Sequence, residues 1–308
     1  MMFKNSCRLL FANFAEVWKL LVYHILSFAV SVALLAVFYK NYIDYATIAS
    51  ANAGLPTAWE TGTLYGANFS KSLTIVANFM VEYFKVMFTS NIGIGIYFCV
   101  IIFLLLPLLM NIGKVVSCEL MYGYMSACQR QSFTGTYLKT LRSSLAYSSV
   151  KVLYAIPFNF LILFGMWALT RIDNGVFDYF MPVAFVLLAA ALMAIKELFN
   201  AGWAPAKVVY NHNVFSSYTI GMRAVLRRGA RVYSTAFIIY LLATVLAMVL
   251  GLYAIIVILP IVPIFVHIFE MVAFFSSQGM RFYVDNDTIL SPKRLEEVDK
   301  LDDAKYIL

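Results

Sequence analysis

The sequence predicts an all-α, polytopic membrane protein, and its composition and its apolar runs carry this prediction. Of 308 residues, 62% are hydrophobic and only 13% are charged, and the mean hydropathy is +0.81. A soluble domain has about 45–50% apolar and roughly 25% charged residues. Several apolar runs reach about 20 residues, the length at which a helix crosses a hydrocarbon core ~30 Å thick. We expect six transmembrane helices, at residues 18–38, 92–113, 150–169, 179–195, 233–250 and 253–275.

The length of the last apolar run indicates that it contains two helices. Residues 233–275 carry one formal charge, Glu270. As one straight helix they would extend about 65 Å at ~1.5 Å per residue, roughly twice the hydrocarbon core. The run must therefore fold back, and Gly251 is the natural turn. This gives a single transmembrane domain over residues 1–280 and a polar tail over 281–308, for which we expect a short helix and no fold of its own.

Two segments outside the predicted spans, residues 3–17 and 39–90, are expected to contain helices that do not cross the membrane. Residues 3–17 place apolar side chains largely on one helical face, which predicts an amphipathic helix on the membrane surface. Residues 39–90 are expected to form a long outer loop, followed by a short outer turn at 170–178 after the third span. Within the long loop, residues 72–88 have a helical composition but contain Glu82 and Lys85. This helix is either interfacial or a re-entrant half-span.

The distribution of basic residues predicts the orientation. Nineteen of the 23 Lys and Arg residues lie in the N-terminal segment, in residues 114–151 and 196–231, and in the tail. The other four are Lys40, Lys71, Lys85 and Arg171. By the positive-inside rule, both termini and both basic segments are cytoplasmic.

The even-numbered spans show a weak internal repeat. When Glu119, Glu197 and Glu270 are aligned, a basic residue follows ten or eleven positions later in each case. The pattern indicates three parallel hairpin repeats, joined by amphipathic cytoplasmic elbow helices within residues 114–149 and 196–231. The alternative is chance similarity among amphipathic membrane segments.

The second elbow carries a resemblance. Its sequence, APAKVVYNHNVFSSYTIGMRAVLRRGARVY, places Ala-Pro at the end of one span and a basic amphipathic helix before the next. This pattern resembles one found in uncharacterised bacterial multi-pass membrane proteins, and it is similar to the membrane domain of glycerophosphodiester phosphodiesterases. The likeness covers residues 196–250, and elsewhere it extends only to the layout of the spans. It implies a bacterial cell-membrane protein and supplies no catalytic residues.

Ionisable residues inside a span are candidates for function because placing a charge there is costly. Glu270 lies five residues before the apolar run ends, and His267 precedes it by three residues on the same helical face. Such a pair could relay protons or bind a cation. The alternative is that Glu270 lies near the cytoplasmic interface and pairs with a Lys or Arg of an elbow. Glu119 and Glu197 lie nearer the water and favour structural roles.

Four arginines precede the fifth span. The spacing predicts that Arg223, Arg227 and Arg231 lie along one helical face, with Arg228 beside them. Such a stripe at the inner leaflet attracts anionic lipid headgroups, and it also fixes membrane topology. Nucleic acid is not an expected partner, because the basic residues follow membrane boundaries rather than one domain.

Sequence motifs for chemistry are absent. The chain has no P-loop, no HExxH and no GxSxG. Its three histidines, His24, His212 and His267, fall on separate predicted elements, so no metal site and no cofactor are expected. We therefore expect a non-enzymatic cell-membrane protein, acting as an accessory or scaffold subunit with a membrane-protein partner or binding lipid. The alternative is a secondary transporter or permease that couples to protons through Glu270 and His267.

Overall fold

The structure is a computed structural model, and it describes residues 2–55, 69–169, 180–250, 253–285 and 288–290. Three predictions lie outside these residues: the outer turn at 170–178, the turn at Gly251, and the helix expected in residues 291–308 of the tail.

The described residues are mostly helical. In chain order the elements are α1 (Met2–Ala12), α2 (Phe14–Leu35), a 3₁₀ turn (Ala36–Phe38), α3 (Tyr39–Asn52), α4 (Phe69–Ser90), α5 (Ile92–Cys99), a π-helical turn (Val100–Leu105), α6 (Leu106–Ala127), α7 (Phe133–Leu169), α8 (Met181–Asn200), α9 (Trp203–Tyr210), α10 (Val214–Leu226), α11 (Gly229–Leu250), α12 (Tyr253–Gln278), β1 (Phe282–Asp285) and β2 (Thr288–Leu290).

Among the described residues, six helical segments are long and apolar enough to cross a membrane. They are Phe14–Asn52, Ile92–Ala127, Phe133–Leu169, Met181–Tyr210, Gly229–Ala247 and Ile261–Gln278. Their surfaces are apolar too, since α7 exposes Leu153, Phe160 and Phe164 by 64–68% each. Large apolar side chains cluster on the outer surface of a protein only where the surrounding medium is itself apolar. The prediction of an all-α, multi-pass membrane protein is confirmed.

The helices continue well beyond the predicted spans. The first candidate is 39 residues long, and it includes Tyr39–Asn52, which the sequence analysis assigned to the outer loop. These residues are helical rather than irregular, because they contain neither Gly nor Pro and nothing interrupts the backbone hydrogen bonds before Gly54. Their position outside the membrane stays a prediction. Likewise α7 begins at Phe133, and the chain turns just before it, at Cys128, which has φ 53°.

One of two compact units consists of Leu26–Leu109 and Val152–Leu192. Within it, α3 packs against α4 through a core of Tyr45, Val86, Met87 and Ile94. The helix predicted at 72–88 is present as α4, while its interfacial or re-entrant position stays a prediction. The π-helical turn ends two residues before Pro107, a residue that removes one backbone hydrogen bond from a helix.

The other unit consists of Met1–Ile25, Met110–Lys151 and Met193–Leu308. Here α1 packs on α12, with the rings of Phe3 and Phe265 5.4 Å apart. We predicted a short helix and no fold of its own for the tail, but its start forms an antiparallel pair of strands, β1 and β2. This hairpin packs against α1, where the Arg8 guanidinium donates to the Asp285 carboxylate at 2.6 Å. The alternation of buried Phe282 and Val284 favours this strand.

The second basic segment folds into a tight pair of helices, α9 and α10. A Cβ atom placed on Gly202 would lie 2.1 Å from the Gly221 carbonyl oxygen, and one on Gly221 would lie 2.1 Å from the Gly202 carbonyl oxygen. The Trp203 indole N–H donates to the Val214 carbonyl oxygen at 2.9 Å, which closes the same pair. The two backbones therefore approach as closely as they do only because both residues are glycine.

Substituting alanine at Gly202 is expected to destabilise the protein by about 1–3 kcal/mol or more, because the new methyl group meets backbone that cannot move aside. The thermal unfolding temperature in detergent measures the effect. Gly135→Ala is the matched control, since a Cβ there meets no atom nearer than 3.9 Å. Equal unfolding temperatures for the two variants would contradict the close approach.

Candidate functional site

Four charged side chains converge in the unit that contains α12. Lys114 lies on α6, Lys151 on α7, Glu197 on α8 and Glu270 on α12. Glu270 is fully buried, and Lys114 and Glu197 are only 4% and 8% exposed, while Lys151 is partly buried. Charges removed from water to this extent are retained only when other charges and hydrogen bonds compensate them.

The cluster supplies that compensation within itself. The Lys114 ammonium donates to Oε1 of Glu270 in a buried ion pair. The Tyr240 hydroxyl on α11 donates to Oε2 of Glu197 at 3.0 Å. Glu197 and Lys151 lie close enough to Lys114 and Glu270 to interact with both of them electrostatically. Two acids and two bases thus form one cluster of interacting charges.

Aromatic side chains close the network on one side. Tyr147 is fully buried, and its ring centroid lies 5.5 Å from Nζ of Lys151. The ring of Tyr147 meets the indole of Trp203 edge-on at 5.4 Å, and Trp203 in turn meets Tyr218 at 4.8 Å. The α9–α10 pair therefore shields this side of the charged groups from water, which strengthens the electrostatic interactions between them.

His267 and Glu270 do not form the predicted pair. Among the described residues, no hydrogen bond joins the two side chains, and Nδ1 of His267 accepts no donor. Its ring instead meets the ring of His24 edge-on at 5.9 Å. The alternative, in which Glu270 pairs with a basic residue of the first elbow, is the arrangement found. The third histidine, His212, lies elsewhere and stacks on Tyr210 at 5.9 Å.

Glu119 stays outside the cluster. Its carboxylate accepts a hydrogen bond from Lys139 at 3.2 Å, and the Lys139 side chain is 71% exposed. The sequence aligned Glu119 with Glu197 and Glu270, yet only the last two are brought together. A pair this exposed contributes at most about 1 kcal/mol to stability.

The four arginines lie at the junction between α10 and α11, and all four are exposed. They do not lie along one uninterrupted helix, as the spacing predicted, because α10 ends at Leu226 and α11 begins at Gly229. The break is a turn in which the Arg228 N–H donates to the Val225 carbonyl oxygen at 3.0 Å. Residues 226–231 line an open depression of about 590 Å³.

The chemistry open to the buried cluster is proton and charge exchange. In the part of the chain that the structure describes, no three His, Cys, Asp or Glu residues are placed to hold a metal ion. With all four charged groups ionised the cluster is neutral overall, which is what burial requires. Its residues also lack the nucleophile–base–orienter arrangement of a hydrolase.

Sequence reasoning missed Lys114, Lys151 and Tyr240 as members of the site. It counted both lysines among the basic residues of the first elbow, so their charge was assigned to topology. The available signal was position, since Lys114 directly follows the predicted second span and Lys151 lies within the third. A charge at such a position is a candidate for burial against another span.

Comparisons with protein-family models, with curated proteins and with solved structures find no match for this chain. The resemblance of residues 196–250 to the membrane domain of glycerophosphodiester phosphodiesterases therefore stays a hypothesis. The site must be interpreted from its own residues.

Replacing Lys114 with methionine is expected to lower the free energy of unfolding by about 3–5 kcal/mol, because it leaves the buried Glu270 carboxylate without its cation. Thermal unfolding in detergent and accumulation in the membrane measure the effect.

Lys139→Met is the matched control, because it makes the same substitution in the exposed Lys139–Glu119 pair. Its expected cost is no more than about 1 kcal/mol. Equal losses of stability in the two variants would contradict this expectation, because the buried ion pair would then contribute no more to stability than the exposed one.

Proposed function

We propose that this chain is a non-enzymatic protein of the bacterial cell membrane that binds anionic lipid headgroups at the junction of α10 and α11. The observation that carries the proposal is the set of four exposed arginines at this junction. Arg223, Arg227, Arg228 and Arg231 form no ion pair with the described residues, whereas Arg8, Lys19, Lys85, Lys114 and Lys139 each pair with an acid. Unpaired guanidinium groups are available to an external anion.

The position of the junction favours a lipid as the source of that anion. Gly229 begins the fifth candidate span, so the arginines flank a membrane-crossing helix. Basic residues at such a boundary each contribute about 1 kcal/mol to attraction by an anionic leaflet. The depression lined by residues 226–231 gives a headgroup a place between the two helices. All of the expected ligands carry a phosphate group.

The proposal includes an orientation and a repeat architecture. Both termini and both elbows face the cytoplasm, following the positive-inside rule. Three parallel hairpins, joined by amphipathic elbow helices, account for the six spans. The cluster and the adjoining His24 support spans that alternate in direction, because every span contributes one residue from its predicted cytoplasmic end. These residues are His24, Lys114, Lys151, Glu197, Tyr240 and Glu270.

A scaffold or accessory role fits the same features. The buried charges compensate one another, so the cluster serves to fix helices rather than to turn over a substrate. A lipid-facing surface with a basic cytoplasmic rim suits a subunit that works beside another membrane protein. The alternative, a transporter that couples to protons through Glu270 and His267, has less support because Glu270 is paired with Lys114.

Removing two arginines tests the lipid site. Arg227→Gln combined with Arg228→Gln is expected to weaken the binding of phosphatidylglycerol roughly 30-fold, the equivalent of two contacts of about 1 kcal/mol each. Native mass spectrometry of the full chain, titrated with phosphatidylglycerol, phosphatidylcholine and inorganic phosphate in turn, measures the three affinities.

The matched control is Lys4→Gln combined with Arg142→Gln, which removes two exposed charges away from the junction. Preference for phosphatidylglycerol in the wild type, lost only in the arginine variant, supports the proposal. Equal affinity for the two lipids, or equal loss in both variants, contradicts it. Tight binding of inorganic phosphate alone would indicate a soluble anion instead of a lipid.

A further inference from the structure

The arginine junction lies in a long stretch of the chain that contains no acidic residue. Between Glu197 and Glu270 the sequence has no Asp or Glu, but it has five basic residues, namely Lys207 and the four arginines of the junction. Lys207 donates from Nζ to the His212 carbonyl oxygen at 2.6 Å, so it is already engaged within the α9–α10 pair. The four arginines therefore concentrate positive charge that no neighbour in the sequence offsets.

The four guanidinium groups are divided between the two sides of the break between α10 and α11. On α10, Arg223 precedes Arg227 by four residues, so the two lie on one helical face. Across the break, the Arg231 N–H donates to the Arg228 carbonyl oxygen at 3.0 Å, which places these two residues in one turn. An inner pair, Arg227 and Arg228, is thus flanked by one outer arginine on each side.

A single phosphate group does not match this number of arginines. A guanidinium group binds phosphate through two parallel N–H···O bonds. The phosphodiester of phosphatidylglycerol carries one negative charge and two free oxygens, so two guanidinium groups satisfy it and two remain without a counter-charge. The depression has a volume of about 590 Å³. Sites for whole small molecules occupy roughly 300–1,000 Å³, so there is room for a second phosphate group.

We propose that the arginine junction binds a lipid whose headgroup carries two phosphate groups. The inner arginines, Arg227 and Arg228, hold the first phosphate at the break. The outer arginines, Arg223 and Arg231, contact the second. This inference rests on the proposed lipid site, and it specifies which anionic lipid that site prefers.

The lining of the depression favours a lipid over a soluble diphosphate. Leu226 lies in this lining beside the arginines, and it is 42% exposed. It offers an apolar contact to the glycerol backbone and the acyl chains of a lipid, which a soluble diphosphate lacks. Gly229 lies in the same lining and begins the fifth candidate span, so acyl chains that leave the depression enter the leaflet beside α11.

Two lipids with the same number of acyl chains test the proposal. Dilysocardiolipin and phosphatidylglycerol each have two acyl chains, but the first has two phosphate groups and the second has one. We expect the full chain to bind dilysocardiolipin roughly 30-fold more tightly than phosphatidylglycerol, about fivefold for each outer arginine. Native mass spectrometry measures both affinities, with phosphatidylcholine as the lipid without net charge and inorganic pyrophosphate as the soluble ligand.

The variant Arg223→Gln combined with Arg231→Gln removes only the outer pair. All four arginines are exposed, so this variant is expected to fold as the wild type does. Its affinity for dilysocardiolipin should fall to that for phosphatidylglycerol, while its affinity for phosphatidylglycerol stays close to the wild-type value. Lys4→Gln combined with Arg142→Gln is the matched control, and it should keep the wild-type preference.

Equal affinities of the wild type for dilysocardiolipin and phosphatidylglycerol overturn the two-phosphate inference. The lipid site itself is retained in that case if phosphatidylglycerol still binds more tightly than phosphatidylcholine, and without that preference both proposals fail. A preference for dilysocardiolipin that survives in the outer-arginine variant overturns the assignment of Arg223 and Arg231. Binding of pyrophosphate as tight as that of dilysocardiolipin also overturns the inference, because the ligand would then be a soluble diphosphate.

Discussion

A buried ion pair between α6 and α12 constrains how the helices of its unit can be arranged. Lys114 and Glu270 are removed from water almost completely, and either one alone would be an uncompensated charge in an apolar medium. The pair therefore requires α6 and α12 to meet at this point. Glu197 and Lys151 bring α8 and α7 to the same place, and Tyr240 adds α11. Apolar packing is non-directional, whereas these contacts hold only in one register.

The close glycine contact between α9 and α10 also affects the environment of these charged groups. Gly202 and Gly221 let two short helices approach closely, and that approach places Trp203 against Tyr147. The aromatic ring then keeps water from the charged groups, which strengthens their interactions. The same pair of helices leads into the arginine junction at Arg227. Shielding of the interior cluster and presentation of a basic surface thus depend on one local structure.

The sequence was sufficient for the class of protein and for the number of candidate spans, because apolar runs and their lengths are local properties. It singled out Glu270 as a candidate, since a charge within an apolar run is visible without a partner. It did not identify Lys114 as that partner, because the two residues are 156 positions apart and only the packing of α6 on α12 joins them. It likewise separated His24 from His267, which meet across helices. The hairpin at Phe282 was missed because seven strand residues give too short a pattern to outweigh the polar composition of the tail.

The central claim is that Lys114 and Glu270 are energetically coupled inside the folded protein. A double-mutant cycle with Lys114→Met, Glu270→Gln and the double variant, measured as free energies of unfolding in bicelles, tests it directly. The account predicts that the double variant loses less stability than the two single variants added together, with a coupling energy of about 2–3 kcal/mol. Losses that add to within about 0.5 kcal/mol would mean that the two side chains are not paired in the membrane.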